Sequence, residues 1–266
     1  VPSGAQDLDG IAVTGASGLG DLEDATGNAL SLAGFSFPQT LASTQVDAQG
    51  PSVTGPSLSG APAANASSVT YDLTFDEAVQ APVPGDFGLS LTGTAGGNVA
   101  SVNQVAADTY EVTVDTLSGD GTVQLDLPAG SVADPAGNVL GALASSGSRA
   151  VDLVAPAFTD VTASGAFAQG QTVTFTLSAD EALAAGGSAV LDLDVGGTVR
   201  QANFDSISGG DALFKYTVQS GDDDAGGIAV TGLSNGGDLR DAAGNALTGS
   251  VAKTVAATTD ATAPTV

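Results

Sequence analysis

Carboxylates are the side chains through which this sequence could do chemistry. Its 266 residues include 30 acidic and 5 basic ones, so the formal net charge is −25. Only four of the acids are glutamates, namely Glu23, Glu77, Glu111 and Glu181. Aspartate bonds to nearby backbone in turns, and converging carboxylates supply the hard oxygen ligands that Ca²⁺ takes. A solubility or salt adaptation would also account for most of this charge.

The acidic residues recur in three patterns that share one period of roughly a β-sandwich domain. The pattern Asp-x-x-Gly-Asn occurs at Asp24–Asn28, Asp134–Asn138 and Asp241–Asn245. An aspartate stands four residues before a proline at Asp47, Asp152 and Asp260. An Asp-Glu pair closes an alternating segment at Asp76-Glu77 and at Asp180-Glu181. The spacings all lie between 104 and 110 residues, which predicts tandem domains.

Alternating apolar residues predict short strands around these patterns. In the last repeat they predict about seven strands, at 157–164, 171–178, 189–195, 198–204, 213–219, 227–232 and 250–258. In the middle repeat they predict strands at 68–75, 88–93, 110–116, 122–127 and near 149–153. Seven short strands in about a hundred residues indicate an all-β fold of tandem immunoglobulin-like Greek-key β-sandwiches.

The phase of the repeat predicts four segments. Residues 1–50 are expected to be the final two-strand hairpin of a partial repeat, because Gly10–Gly15 matches Gly227–Gly232 letter for letter. Residues 51–154 and 155–262 are expected to be complete repeats, and 263–266 the start of another. The sequence is therefore expected to be a segment of a longer chain.

Composition argues against several classes of function. The sequence contains no Cys and no His, which removes thiol chemistry, the commonest general base and the commonest zinc ligand. A surface this acidic repels nucleic acid and anionic lipid, and no apolar stretch is long enough to span a membrane. We expect no enzyme, because the paired carboxylates recur alike in each repeat, whereas active sites are rarely copied in this way.

Strand direction predicts where the acidic patterns meet. In a seven-strand sandwich, the loops after strands two and six face the incoming chain, and the loop after strand five faces the outgoing one. One junction should therefore gather Asp120, Asp152, Asp180, Glu181 and Asp241. The preceding junction should gather Asp7, Asp9, Asp47, Asp76, Glu77 and Asp134. The outgoing end should place the run Asp222, Asp223 and Asp224 beside Asp260.

Converging carboxylates repel one another unless a cation neutralises them. Ca²⁺ accepts six to eight oxygens with flexible geometry, so the sequence predicts at least one Ca²⁺ per junction. Simpler interpretations remain open. Asp-x-x-Gly-Asn also forms a hairpin turn, and a turn role is favoured for Asn28, Asn138 and Asn245. The Asp-Glu pairs and the run at 222–224 could equally be solvated loop residues.

Five segments of the last repeat carry a resemblance to a known family. They are GQTVTFTLSADEAL (170–183), VLDLDVGGTVRQANF (190–204), FKYTVQSGDDDAGGIAV (214–230), LRDAAGNAL (239–247) and TTDATAPTV (258–266). Together they resemble the bacterial immunoglobulin-like repeats of giant secreted or surface adhesins. The middle repeat resembles them less closely, because it lacks the three-aspartate loop and carries APVPGDF (81–87).

The resemblance implies a secreted or cell-surface stalk, in which neighbouring repeats of one chain form a rod stiffened by Ca²⁺ at the junctions, as in adhesins and biofilm proteins. A subunit of an extracellular filament or surface layer is the alternative. In that case the hairpin of 1–50, or the strand begun at 264–266, would complete a sandwich in another copy of the chain.

Overall fold

The computed structural model describes residues 6–7, 11–15, 36–41 and 46–262. The described part of the predicted partial repeat contains the strands β1 (Gln6–Asp7), β2 (Ile11–Val13), β3 (Gln39–Leu41) and β4 (Val46–Asp47). Here β1 pairs with β4 and β2 pairs with β3, both antiparallel. None of the helices in the described ranges is long and apolar enough to be a membrane span.

The middle repeat folds as two facing sheets. Its strands are β5 (Val53–Leu58), β6 (Val69–Phe75), β7 (Gly88–Gly93), β8 (Gly96–Gln104), β9 (Thr109–Ser118), β10 (Asp120–Leu127), β11 (Ala144–Ser145) and β12 (Arg149–Asp152). One sheet has the order β5-β6-β9-β8. In the other, β10 pairs with β7, β11 and β12. This division of strands is that of a constant-type immunoglobulin sandwich.

The last repeat contains the strands β13 (Phe158–Thr162), β14 (Ser164–Ala168), β15 (Thr172–Ala179), β16 (Val190–Val195), β17 (Thr198–Ser208), β18 (Asp211–Thr217), β19 (Ala229–Ser234), β20 (Lys253–Thr254) and β21 (Ala256–Asp260). A continuous sheet has the order β13-β15-β18-β17-β16-β19-β20, and β14 pairs in parallel with β21. The predicted all-β fold of tandem immunoglobulin-like sandwiches is confirmed.

Period-two alternation builds a separate core in each repeat. On β6, Tyr71, Leu73 and Phe75 are buried, and on β15 Phe175 and Leu177 have no exposed surface. One core consists of residues between 53 and 153, and the other of residues between 158 and 261. Because successive side chains point to opposite faces, one face of each strand fills a core and the other meets solvent. The repeat boundaries inferred from the sequence stay a prediction.

The two repeats differ in how β7 and β8 of the middle repeat and their equivalents β16 and β17 of the last repeat are paired. In the last repeat β16 pairs with β17 over six residues, which joins the two halves of the sandwich. In the described part of the middle repeat β7 pairs with β10 alone and β8 with β9 alone. Two register shifts interrupt β8, between Gly96 and Asn98 and between Val99 and Ser101. These bulges also break its alternation, which is why the sequence patterns did not predict this strand.

Candidate metal centre

Two groups of three carboxylates occupy equivalent positions in the middle and last repeats. We call Asp47, Glu77 and Asp134 the first acidic cluster. We call Asp152, Glu181 and Asp241 the second acidic cluster. Within each cluster, one carboxylate oxygen from every residue lies within 4.8 Å of the others. All six residues were predicted ligands, and the structure brings together three members of each of the two junction sets that the strand directions predicted.

Each cluster combines residues from two consecutive repeats. Asp47 is the last residue of β4 and Asp152 is the last residue of β12, so each ends the strand that precedes a junction. The glutamates follow equivalent strands of the next repeat, since β6 ends at Phe75 and β15 at Ala179. The third member of each cluster lies in the loop after another pair of equivalent strands, β10 and β19.

The Asp-x-x-Gly-Asn loops position the buried carboxylate of each cluster. The Asp241 side chain is 6% exposed and accepts hydrogen bonds from the backbone amides of Gly244 (2.6 Å) and Asn245 (2.8 Å). Asp134 is fully buried and accepts one from the backbone amide of Asn138 at 2.8 Å. The glycine is required because its φ is +99° at Gly244, a left-handed conformation that other residues rarely adopt.

The two members of each Asp-Glu pair have different surroundings. Asp76 accepts hydrogen bonds from the backbone amide (2.8 Å) and the hydroxyl (2.7 Å) of Ser52. Asp180 accepts one from the backbone amide of Ala157 at 2.7 Å. Each aspartate thus ties the start of the first strand of its repeat, β5 or β13, to the end of β6 or β15. The glutamate that follows it, Glu77 or Glu181, faces the cluster.

Electrostatic repulsion shows in the titration of the clustered glutamates. Burial raises the pKa of Glu181, and the negative charges of Asp241, Asp152, Asp120 and Asp180 raise it further. Glu77 has its pKa raised by burial and then by Asp47, Asp134 and Asp76. The Oε1 atom of Glu181 is buried and has no hydrogen-bond partner. A buried carboxylate oxygen without a donor is costly, and a cation would satisfy it.

Asp134 of the first acidic cluster and Asp152 of the second have pKa values shifted in opposite directions. Burial alone would raise the pKa of Asp134, but hydrogen bonds from Asn138, Gly137 and Ala136 lower it below its ordinary value. Burial raises the pKa of Asp152, and the charges of Asp241 and Asp120 add to this effect. The loop of Asp134 therefore stabilises its ionised form, whereas the negative neighbours of Asp152 destabilise the ionised form of that residue.

Asp120 lies beside the second acidic cluster, as its loop position predicted. It stands opposite Asp152 in the register of β10 and β12. Its Oδ1 accepts a hydrogen bond from the backbone amide of Val154 at 3.3 Å. At the first junction, Gln6 of β1 stands opposite Asp47 of β4. The two junctions therefore differ by one negative charge at this position.

The structure requires a correction at the outgoing end of the last repeat. Asp222 was a predicted ligand, but it is fully buried and bonds to Arg200 (2.9 Å), the Tyr216 hydroxyl and the backbone amide of Gln219 (2.7 Å). These contacts neutralise it within the repeat and lower its pKa despite its burial. The sequence pattern gave no signal of this, because Arg200 is distant in the chain.

The neighbours of Asp222 occupy different places. Asp224 accepts hydrogen bonds from the amides of Gly196 and Gly226, both at 3.0 Å. It pairs with Thr259, so Asp223 stands opposite Asp260 as Asp120 stands opposite Asp152. Asp223 accepts a hydrogen bond from the amide of Ala261 at 2.8 Å. Asp223 is therefore the counterpart of Asp120. The predicted ligand set included its neighbours Asp222 and Asp224 and not Asp223 itself.

Asp260 ends β21, as Asp47 and Asp152 end their strands, and its carboxylate bonds to the amide (3.1 Å) and hydroxyl (2.6 Å) of Thr262. Asp9, Asp24, Asn28 and residues 263–266 lie outside the described residues. Asp7 is described only through its backbone, which pairs with Val46.

The side chains of Asn138 and Asn245 have contacts that the sequence reasoning missed. The Asn245 Nδ2 atom donates to Asp241 Oδ2 at 2.8 Å and, across the junction, to the carbonyl and a carboxylate oxygen of Asp152, both at 3.1 Å. The Asn138 Nδ2 atom donates to Asp134 Oδ2 at 2.8 Å and to the carbonyl of Asp47 at 3.1 Å. The only sequence signal for these contacts was that Asn stands at the same position in each copy of the motif.

No family model matches the chain, and no curated protein matches it. Among solved structures, the Escherichia coli adhesin FdeC is similar, with 18% identity and a TM-score of 0.40, over 77% of this chain and 63% of that one. A tetra-tandem repeat from the extending region of a large adhesion protein is similar with 22% identity and a TM-score of 0.28, over 77% and 49% respectively. The chain thus spans less than two thirds of either structure. Both come from adhesins, the class that the sequence motifs resemble.

Proposed function

We propose that this chain is a structural segment of an extracellular bacterial adhesin, a stalk in which Ca²⁺ bound at the repeat junctions stiffens the rod. The observation that carries the proposal is the recurrence of an equivalent three-carboxylate cluster at two successive junctions. A joint must be copied at every boundary of a rod, whereas a catalytic site need not be. The proposed role is therefore mechanical and not enzymatic.

The donor set of each cluster fits Ca²⁺. Ca²⁺ binds oxygens at 2.3–2.6 Å, so ligands on opposite sides of one ion are separated by about 5 Å. The cluster oxygens lie within 4.8 Å of one another, which is compatible with a shared ion. The three carboxylates would supply part of the six to eight ligands, and backbone carbonyls and water would supply the rest. Mg²⁺ demands a tighter octahedron and retains its water, so it suits this arrangement less well.

A bound cation would couple two repeats because the ligands come from both sides of the junction. Asp152 belongs to the end of the middle repeat, while Glu181 and Asp241 belong to the last repeat. Without a cation their charges repel, and this repulsion adds to burial in raising the pKa of Glu181. With one, the same charges attract a common centre and restrict rotation about the linker.

Calcium titration by isothermal calorimetry on the whole chain tests this proposal. We expect at least two Ca²⁺ per chain, weaker heats with Mg²⁺, and a rise in the thermal unfolding temperature on adding Ca²⁺. The double variant Glu77→Gln and Glu181→Gln should lose most of the binding. Glu111→Gln, which makes the same chemical change on strand β9, is the control and should bind as the parent does. An absence of Ca²⁺ uptake at millimolar concentration would refute the proposal.

A filament subunit that assembles by strand addition is the second candidate. The observation in its favour is that β7 presents a regular, six-residue edge in the described part of the middle repeat. The neighbouring edge strand β8 carries two bulges, a feature that blocks pairing with other chains. Size-exclusion chromatography with light scattering separates the two candidates. A stalk segment stays monomeric with Ca²⁺, and a filament subunit forms larger assemblies.

A further inference from the structure

The amide side chains of Asn138 and Asn245 connect consecutive repeats through protein atoms alone. Asn245 Nδ2 lies 2.8 Å from Asp241 Oδ2 in its own loop and 3.1 Å from the carbonyl oxygen of Asp152 in the preceding strand. Asn138 Nδ2 makes the equivalent pair of contacts with Asp134 (2.8 Å) and with the carbonyl of Asp47 (3.1 Å). The same bridge therefore occurs at both junctions, 107 residues apart in the sequence.

These contacts exceed what the turn requires. The loop closes without the Asn245 side chain, since the Asp241 amide donates to the Asn245 carbonyl at 3.1 Å and the Asn245 amide donates to Asp241 Oδ1 at 2.8 Å. The side-chain amide is free to serve another purpose. Its two N–H groups satisfy acceptors from two different repeats, one in the loop and one at the strand end.

The surroundings of positions 138 and 245 favour asparagine over aspartate and alanine. Each amide sits among the carboxylates of an acidic cluster, where a neutral donor relieves unpaired acceptors without filling the space of a cation. Aspartate in its place would offer no donor and would add a further negative charge. Alanine would remove the bridge and leave the backbone turn intact.

We infer that Asn138 and Asn245 are junction clamps, positioning residues that fix the orientation of each repeat on the one before it in the absence of any cation. The clamp places the terminal aspartate of one repeat opposite the buried aspartate of the next, so the acidic cluster is assembled in advance. The inference concerns the same junction as the proposed stalk, but it does not depend on Ca²⁺ being the ligand.

Distance measurement between two spin labels tests the clamp directly. The chain contains no cysteine, so labels attach only where one is introduced. Val105 in the middle repeat and Val199 in the last repeat are suitable sites because they are 54% and 79% exposed. We would measure the distance distribution by pulsed electron resonance for the Val105→Cys, Val199→Cys chain in EDTA.

In EDTA we expect a narrow distribution for the parent and about a twofold broader one for Asn245→Ala, since repeats without a firm interface reorient freely. Asn138→Ala is the matched control, because it makes the same change in the same motif at the other junction. It should leave the Val105–Val199 distribution unchanged. Asn245→Asp should broaden the distribution as the alanine variant does, because a carboxylate cannot donate.

Two results would overturn the clamp: a parent distribution in EDTA as broad as that of Asn245→Ala, or an Asn245→Ala distribution as narrow as the parent's. Far-ultraviolet circular dichroism of each variant verifies that the repeats remain folded. Calorimetric Ca²⁺ titration of the same samples keeps the two proposals separate. A narrow parent in EDTA with no Ca²⁺ uptake supports the clamp and refutes the cation, and a broad parent that binds Ca²⁺ does the reverse.

Discussion

The two acidic clusters share one framework and differ in the residue beside the strand-end aspartate. In both, a strand-end aspartate, a glutamate after β6 or β15 and a buried loop aspartate bring their oxygens within 4.8 Å. The second acidic cluster has Asp120 beside it, whereas Gln6 occupies the corresponding register position at the first. The conserved spacing of the motifs thus sets where the carboxylates meet. The residue opposite the strand end adjusts how strongly they repel.

The largest effect should follow from removing the buried carboxylate. Asp241→Ala deletes the acceptor of three hydrogen bonds and one member of the second acidic cluster. We expect a loss of about 2 kcal/mol in the free energy of unfolding. Calorimetry should show one Ca²⁺ fewer per chain, while the first acidic cluster still binds.

Asp205→Asn is a suitable control for that experiment because Asp205 pairs with Lys215 at the surface, away from both clusters. Asp134→Ala should have the equivalent effect at the first junction. If either aspartate could be removed without loss of a Ca²⁺, its cluster would not be a metal centre.

Neutralising the unpartnered glutamate should have effects of opposite sign with and without Ca²⁺. In EDTA, Glu181→Gln removes a charge that its neighbours repel, and we expect the unfolding temperature to rise by about 3 °C. With Ca²⁺ it removes a ligand, so the rise that Ca²⁺ gives the parent should shrink. Scanning calorimetry in both conditions measures this.

We expect Glu77→Gln, the equivalent substitution in the first acidic cluster, to change the unfolding temperature less in EDTA. Among the residues whose side chains the structure describes, Glu77 has no counterpart of Asp120 in the groups that raise its pKa. Equal effects of the two glutamine substitutions would show that Asp120 adds nothing to the repulsion.

Replacing the extra carboxylate should make the second junction resemble the first. We expect Asp120→Gln to weaken Ca²⁺ binding at the second acidic cluster by about tenfold or less, because Asp120 is a neighbour and not a member. Competitive titration with a fluorescent Ca²⁺ chelator would resolve one affinity changing and one unchanged. If both affinities were unaltered, the residue that stands opposite the strand-end aspartate would have no effect on Ca²⁺ binding.

The smallest effect should be a pH dependence of the glutamate substitution. The pKa of Glu181 is higher in the folded protein than in the unfolded chain, so the folded state holds this proton more tightly. The free energy of unfolding without Ca²⁺ therefore falls as the pH rises from the unfolded-state pKa to the folded-state pKa, and it stays reduced at pH 7. The gain from Glu181→Gln in EDTA should be complete near neutral pH and should vanish by about pH 4. A gain that persists at acidic pH would assign it to packing.

Much of the fold could be predicted from the sequence because its signals are local. Alternation of apolar residues predicts β6 and β15, whose inward faces form the cores. The strand β8 escaped prediction because its bulges interrupt the alternation. In the candidate site, the six clustered carboxylates were predicted because strand direction follows from strand order, and strand order was legible in the repeat.

What the sequence determined by itself is the period, the strand directions and hence the ends of each sandwich to which the acidic motifs belong. Only the tertiary structure decided which carboxylate is left for a cluster and which is already paired. Asp222 is neutralised by Arg200, and Asp223 stands opposite Asp260 in its place. Likewise, the sequence predicted that Asn245 lies in a turn, but only the structure showed that its side-chain amide donates a hydrogen bond to Asp152. Such pairings depend on side chains distant in the chain, which approach one another only once strands are in register.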